Sequence, residues 1–231
     1  MKNRDSKSPA YYPIFLNLQG KRCVVVGGGQ VAHRKVKMLL EGGANVFVIS
    51  PKPHPEIKRL SKRKAIHLIQ RDYKAGDIKD AVVTLACTDV KDVNRKVADE
   101  AKKAEVLVNV ADDPERSDFI TPSFFKRGNL TVAVSTAGVS PAYARKIRTK
   151  LQKSFGEEYA SLLSLIGEVR SKLKEKGYRV GTEAWQEALD LDLLIGLLQS
   201  GQRKKAKAIL LSKLQNNKRK NETAQRYSKG I

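Results

Sequence analysis

The run Arg22-Cys23-Val24-Val25-Val26-Gly27-Gly28-Gly29-Gln30-Val31-Ala32 constrains this chain more than any other feature. A short, mostly β-branched stretch leads into the pattern G-x-G-x-x-A and then into a helical periodicity. In that setting Gly27 permits a tight turn, and Gly29 removes the Cβ that would block a phosphate. Ala32 lets the helix pack closely on the strand. The helix N-terminus, around Gln30 and Val31, then offers free N–H groups and the positive end of its dipole. The motif reads as a dinucleotide site; the competing reading is a plain tight turn. A strand about 20 residues on usually ends in an acid that binds the ribose hydroxyls. Here it ends Ile49-Ser50-Pro51-Lys52, with no Asp or Glu. Lys52 would favour a 2′-phosphate, while Ser50 or main chain would bond free hydroxyls, so these residues leave NAD and NADP both open.

The pattern around this motif repeats through residues 21–110. Short apolar runs rich in Val or Ile fall at 22–26, 46–50, 66–70, 82–87 and 106–110, as expected of strands buried on both faces of a parallel sheet. Residues 31–41 place Ala32, Val36, Leu39 and Leu40 on one helical face, with Arg34, Lys35 and Lys37 elsewhere, before Gly42-Gly43 stops the helix. Residues 89–104 do the same with Val93, Val97 and Ala101. Alternation of this kind implies an α/β fold with a Rossmann-type, doubly wound parallel sheet.

Beyond Val110 the pattern changes. Two more strands are expected at 118–123 and 130–135. Ser140 then suits a helix N-cap and Pro141 the first helical position, and that helix carries Ala144, Ile147, Leu151 and Phe155 as an apolar stripe. Only helices follow, over about 157–176, 183–199 and 202–214, with Trp185 and Leu189 at core spacing. The expected organisation is a tail over 1–11, a dinucleotide-binding domain over 12–115, a small dimerisation region over 116–156, a helical domain over 157–215 and a basic tail over 216–231. The two strands after a complete sheet need partners, which predicts a homodimer.

Charge narrows the partner. The 231 residues hold 45 Lys+Arg and 24 Asp+Glu, a net charge of +21, which points to an anionic ligand. About half of that excess lies at the two chain ends, and the rest is on the body. The hydrophobic fraction of 41% is enough for a core. No apolar run approaches membrane-spanning length, and no signal-peptide stretch follows Met1. Cys23 and Cys87 each sit in an apolar run, as core residues of a protein in a reducing cytoplasm would. His33, His54 and His67 show no metal-binding spacing, so no metal ligand is assigned. No recognised nucleic-acid motif accompanies the basic residues, which argues against nucleic acid as the partner.

The fifth strand runs directly into Asn109-Val110-Ala111-Asp112-Asp113-Pro114. In open parallel sheets, ligands bind beyond the carboxyl ends of the strands, so an Asp here is placed for acid–base work. The competing reading is that Asp112 and Asp113 only shape the turn before Pro114.

Five segments now occur together and in order: Val26-Gly27-Gly28-Gly29-Gln30-Val31-Ala32-His33-Arg34-Lys35, Ala86-Cys87-Thr88-Asp89, Asn109-Val110-Ala111-Asp112-Asp113, Phe119-Ile120-Thr121-Pro122-Ser123 and Val132-Ala133-Val134-Ser135-Thr136-Ala137-Gly138-Val139-Ser140-Pro141. The chain resembles, over roughly residues 12–155, the precorrin-2 dehydrogenase and sirohydrochlorin ferrochelatase family, the N-terminal module of siroheme synthase, here in what would be its stand-alone form. The resemblance implies NAD-dependent oxidation of precorrin-2 to sirohydrochlorin, with ferrous iron as a further substrate in those members that also insert metal. It implies Asp112 as the catalytic carboxylate, because Asp112 occupies the Asp of the Asn-Val-x-Asp motif. Gln30 and Val31 match the family's pyrophosphate contacts, with Gly27 and Gly29 shaping the loop, and Pro51 and Lys52 match its contacts after the second strand. Thr88 is expected on the nicotinamide side. Thr136, where some relatives carry Ser, and Arg145 and Lys146 on the following helix are expected to meet the tetrapyrrole polycarboxylate, whose charge a basic cleft would attract. An NAD-binding regulatory domain without turnover is the alternative function.

Overall fold

A computed structural model of the chain describes residues 10–228, and side chains through residue 215. The expected tail over 1–11 therefore lies almost wholly outside the described residues, as do the side chains of the basic tail. The described chain divides into two compact units, one ending at Thr121 and also containing Ala137–Val139, the other made of Pro122–Thr136 and the chain from Ser140 on.

The first unit is a five-stranded sheet in the order β3-β2-β1-β4-β5, built from β1 (Arg22–Val26), β2 (Asn45–Ile49), β3 (His67–Ile69), β4 (Val83–Ala86) and β5 (Leu107–Val110). Every pairing is parallel, with Val24 beside Phe47 on one side and Thr84 on the other. This is the Rossmann-type arrangement expected. The central strands are apolar throughout because both faces are covered. Cys23 and Val25 of β1 face one core with Ala32, Val36 and Leu39 of α1 (Gln30–Glu41). Val24 and Val26 face the other, with Val97, Ala98 and Ala101 of α3 (Lys91–Lys103). Between β2 and β3 lies α2 (Pro55–Lys62), which sequence analysis did not place. The His54 side chain caps it by accepting a hydrogen bond from the Glu56 N–H at 3.2 Å, with Pro55 at its first position.

The strand expected at 118–123 does not form. Ser117–Phe119 instead run along the outer edge of β5, held largely by side chains. Ser117 Oγ accepts from the Val110 N–H at 2.9 Å and Asp118 Oδ2 from the Val108 N–H at 2.8 Å. Asp118 N–H donates to the Val108 carbonyl at 2.8 Å. Donors that a sixth strand would have paired are thus met by Ser and Asp, and the edge is closed to further pairing.

In the second unit the strand falls later. β6 (Ser123–Arg127) pairs with β7 (Leu130–Val134) in an antiparallel hairpin. Its two-residue turn is Gly128-Asn129, and Gly128 has a φ of +56°, as a tight hairpin with glycine first requires. Ser140 caps α4 (Pro141–Ser154), its Oγ accepting from the Tyr143 N–H at 3.2 Å. The rest is helical: α5 (Glu157–Glu175), α6 (Thr182–Ala188), α7 (Leu191–Gln199) and α8 (Arg203–Ser228). The single helix expected over 183–199 is broken at Leu189-Asp190, where the Asp190 side chain accepts from the Leu193 N–H at 3.2 Å and starts α7 afresh. The backbone of α8 also continues past the expected end at residue 214, to Ser228. Leu162, Leu165, Val169, Leu194, Leu197, Leu210 and Leu214 form the core of this helical group, with Ala188 and Ala206 where helices meet closely.

Leu165 is fully buried in that core. Leu165→Ala should therefore lower unfolding stability by about 2–5 kcal/mol, read as a lower urea midpoint with an unchanged slope.

Candidate active site at the carboxyl edge of the parallel sheet

The carboxyl ends of β1, β2, β4 and β5 converge where the strand order reverses, since β1 leads to β2 on one side and β4 lies on the other. Gly27 has a φ of +121°. A Cβ there would run into the Cys87 carbonyl oxygen, with the Cys87 carbonyl carbon 2.6 Å away. Gly28, a variable position of the motif, proves as confined: a Cβ on it would meet Ser50 Oγ and come within 2.8 Å of Pro53 Cα. Gly29 differs, because a Cβ on it would meet nothing within 4 Å. The two inner glycines therefore let strand ends approach, while the third opens the space at the start of α1.

That helix start is unfilled by its own chain. Gly29 is the N-cap and provides no side-chain cap, and no acid lies in the first turn. The first N–H to find a helical carbonyl is that of His33, bonded to Gly29 at 3.0 Å. The N–H groups of Gln30, Val31 and Ala32 precede it, at the positive end of the helix dipole. Gln30 and Val31 are exposed. Open space plus uncapped donors fit a dinucleotide's pyrophosphate.

At the end of β2, buried Ser50 accepts from the Lys52 N–H at 3.3 Å, and Pro51 and Lys52 are exposed beside the glycine loop. His54 N–H donates to the Gly28 carbonyl at 2.7 Å. Its ring stacks on that of His33, 5.3 Å away, so two histidines far apart in sequence meet over the loop. Among the described residues no group of three or more His, Cys, Asp or Glu is arranged to hold a metal. Thr88 follows β4 and lies against Gly27. Its hydroxyl is taken up locally, donating to Asn94 Oδ1 at 2.9 Å and accepting from the Val90 N–H at 3.1 Å. Its main chain is engaged as well: the Thr88 N–H donates to Asn94 Oδ1 at 3.2 Å, and the Thr88 carbonyl accepts from Asn94 Nδ2 at 2.9 Å.

The two aspartates after β5 divide their work. Asp113 is structural: it accepts from the Arg116 N–H at 3.2 Å and pairs with the Arg116 side chain at 3.2 Å. Asp112 is exposed and has a φ of +61°, left-handed backbone uncommon for a non-glycine residue. The Asp113 N–H to Val110 carbonyl bond, 3.3 Å, closes the turn that holds it there. Such strain concentrates at functional positions.

Lys35 is the site residue that sequence analysis set aside. It lies three residues after buried Ala32 and four before buried Leu39, so it shares their flank of α1 and is half-buried. Its Nζ donates to Asn109 Oδ1 at 2.6 Å. That spacing was the available signal. Burial pulls the Lys35 ammonium below the usual lysine range, and the same cause pushes the Cys87 thiol up to about 11.

Thr136, Arg145 and Lys146 belong to the second unit. Thr136 Oγ1 accepts from the Ser140 N–H at 3.1 Å, bracing the turn into α4. Along α4, Ala142, Arg145, Lys146, Thr149, Lys150 and Lys153 line one open groove, a basic strip at helical spacing.

A parallel sheet of this order with a glycine-lined, uncapped helix start defines an NAD(P)-binding protein of the Rossmann type, and residues 14–123 match an NAD(P)-binding family model. Residues 127–154 match the model for the central part of sirohaem biosynthesis proteins. The siroheme synthase of Nitrosococcus oceani is 39% identical over 181 residues, covering 78% of this chain and 39% of the relative. That of Vesicomyosocius okutanii is 33% identical over 208 residues, covering 89% and 44%. A solved structure titled SirC, precorrin-2 dehydrogenase, aligns with a TM-score of 0.68 at 24% identity, covering 89% of this chain and all of that one, and shows the shared fold. The chain is similar to siroheme synthases over their NAD(P)-binding and central portions. It spans about two fifths of the length of the siroheme synthases it matches.

The three glycines should separate by experiment. Gly27→Ala and Gly28→Ala should fold poorly, seen as lost soluble yield or a lower melting temperature. Gly29→Ala should fold normally and bind NAD more weakly in calorimetry.

Proposed function

We propose that this chain is an NAD-dependent dehydrogenase that oxidises precorrin-2 to sirohydrochlorin in siroheme biosynthesis. The observation that carries the reading is Asp112. It is an exposed carboxylate in left-handed backbone at the carboxyl end of β5, on the sheet edge where α1 presents its uncapped N-terminus. Similarity to siroheme synthases supports the substrate class, and the aligned precorrin-2 dehydrogenase has the same fold.

In this reading the main-chain N–H groups at Gln30 and Val31 hold the pyrophosphate, with Gly27 and Gly29 shaping the loop. Pro51 and Lys52 flank the adenosine ribose. Thr88 borders the nicotinamide side, held in place by Asn94. NAD, when bound, supplies the hydride acceptor. Asp112 accepts the proton that the substrate releases as it is oxidised, work worth roughly 10²–10⁴-fold in rate for a placed carboxylate. Asp113, tied to Arg116, keeps the turn in shape. Thr136, Arg145 and Lys146 bind substrate carboxylates, Arg145 and Lys146 from the basic groove on α4. Residues 12–115 serve as the NAD domain and 157–215 as the helical domain. Residues 116–156 serve as a dimerisation region: among the described residues no further strand pairs with either outer edge of the β6–β7 hairpin, which favours a homodimer. Cys23 and Cys87 are free and buried, which favours the cytoplasm. No helix among the described residues is long and apolar enough to cross a membrane.

The test supplies purified protein with precorrin-2 and NAD without oxygen and follows NADH and product absorbance. Turnover is expected. Adding ferrous iron afterwards, as substrate, reports whether the same chain also inserts metal. Asp112→Ala should abolish dehydrogenation while NAD still binds; normal turnover in that variant refutes the assignment. An NAD-binding sensor would show no turnover, and Asp112→Ala would then be silent. Arg145→Ala should raise KM for precorrin-2 with kcat little changed, and added salt should shrink the difference.

A further inference from the structure

Lys35 is a half-buried cation at the sheet edge for which the chemistry above has no use. Its Nζ donates to Asn109 Oδ1 at 2.6 Å, and Asn109 Nδ2 donates to the Phe119 carbonyl at 2.9 Å. These two bonds join α1 to β5 and to the segment returning along β5, at points on either side of Asp112 in the chain. The groups that act electrostatically on Lys35 are Arg34 on its own helix, Cys87 after β4 and Asp112 after β5. Arg34 disfavours the ammonium and Asp112 favours it.

Stability alone does not account for this arrangement. A partly desolvated ammonium whose hydrogen-bond partner is a neutral amide is costly, and an apolar side chain on the Ala32–Leu39 flank would avoid the cost. We propose that Lys35 is a positioning residue for the reaction: clamped to Asn109, it fixes the end of β5 and the Asp112 turn against α1, and it places a standing positive charge near the reacting carboxylate. The proposal rests on the reading of Asp112 as the base.

The two ideas are tested in sequence. If Asp112→Asn keeps wild-type turnover, the reading of Asp112 fails and this proposal with it. With Asp112→Asn inactive, Lys35→Met decides. It should lower kcat about tenfold or more, a loss typical of a misplaced catalytic group, while KM for NAD stays near the wild-type value. The sign of the pH effect follows from the ammonium, which is present below its pKa and lost as pH rises through it. Because that pKa is lowered, wild-type kcat should fall on the alkaline side, below the usual lysine range. Lys35→Arg stays charged and should carry activity further into alkali. Cys87→Ala should keep an alkaline limb, moved to lower pH because the thiolate favours the Lys35 ammonium, whereas a limb set by the thiol itself would vanish. Wild-type kcat and an unchanged alkaline limb in Lys35→Met would overturn the proposal. Should Lys35→Met fail to fold, carbon and nitrogen NMR of the Lys35 side chain in wild type and Asp112→Asn decides instead. Coupling is reciprocal, so Lys35 should titrate at lower pH without the carboxylate; identical titrations would overturn the proposal.

Discussion

The close approach of the Gly27-Gly28 backbone to the neighbouring strand ends is the constraint on which the site depends. Gly27 lies against the Cys87 carbonyl after β4, and Gly28 against Ser50 and Pro53 after β2. Neither contact leaves room for a Cβ. Together they let β1 sit between β2 and β4 and turn within three residues into α1. The helix N-terminus is thereby delivered to the point where the sheet reverses its order. A side chain at either glycine would push a strand end away and move the helix off that point.

Around that fixed turn the structure separates support from presentation. Asp113, Ser117, Asp118 and Asn109 each spend their polar atoms on local backbone or on Arg116 and Lys35. Between them Asp112 stands exposed in left-handed backbone. The same division appears at Thr88, whose hydroxyl anchors the entry to α3. It appears again at Thr136, whose hydroxyl braces the entry to α4. Polar groups that look like ligands in the sequence thus include several that mainly hold loops in shape.

The parallel sheet was legible because its signals are local: β-branched runs buried on both faces, glycine turns and amphipathic helices. Where prediction slipped, a side-chain contact, local in one case and tertiary in the others, had overridden the residue pattern. Residues 118–122 carry the apolar character of a strand, yet Ser117 and Asp118 dock against β5 and delay the strand to Ser123–Arg127. Residues 183–199 keep helical periodicity throughout, but Asp190 caps a new helix in their middle. Lys35 reads as a surface lysine until Asn109, 74 residues away in the chain, is brought beside it.

The class of fold, the position of the glycine turn and the candidacy of Asp112 could be read from the amino acids alone, because each follows from residue type and short-range spacing. So could the order of the five segments that carry the family resemblance. Which glycine faces open space, which of two adjacent aspartates is already engaged, and the tie from Lys35 to β5 emerge only once the chain is folded. Those outcomes depend on distances between strand ends and helices far apart in the chain, and no local pattern encodes such distances.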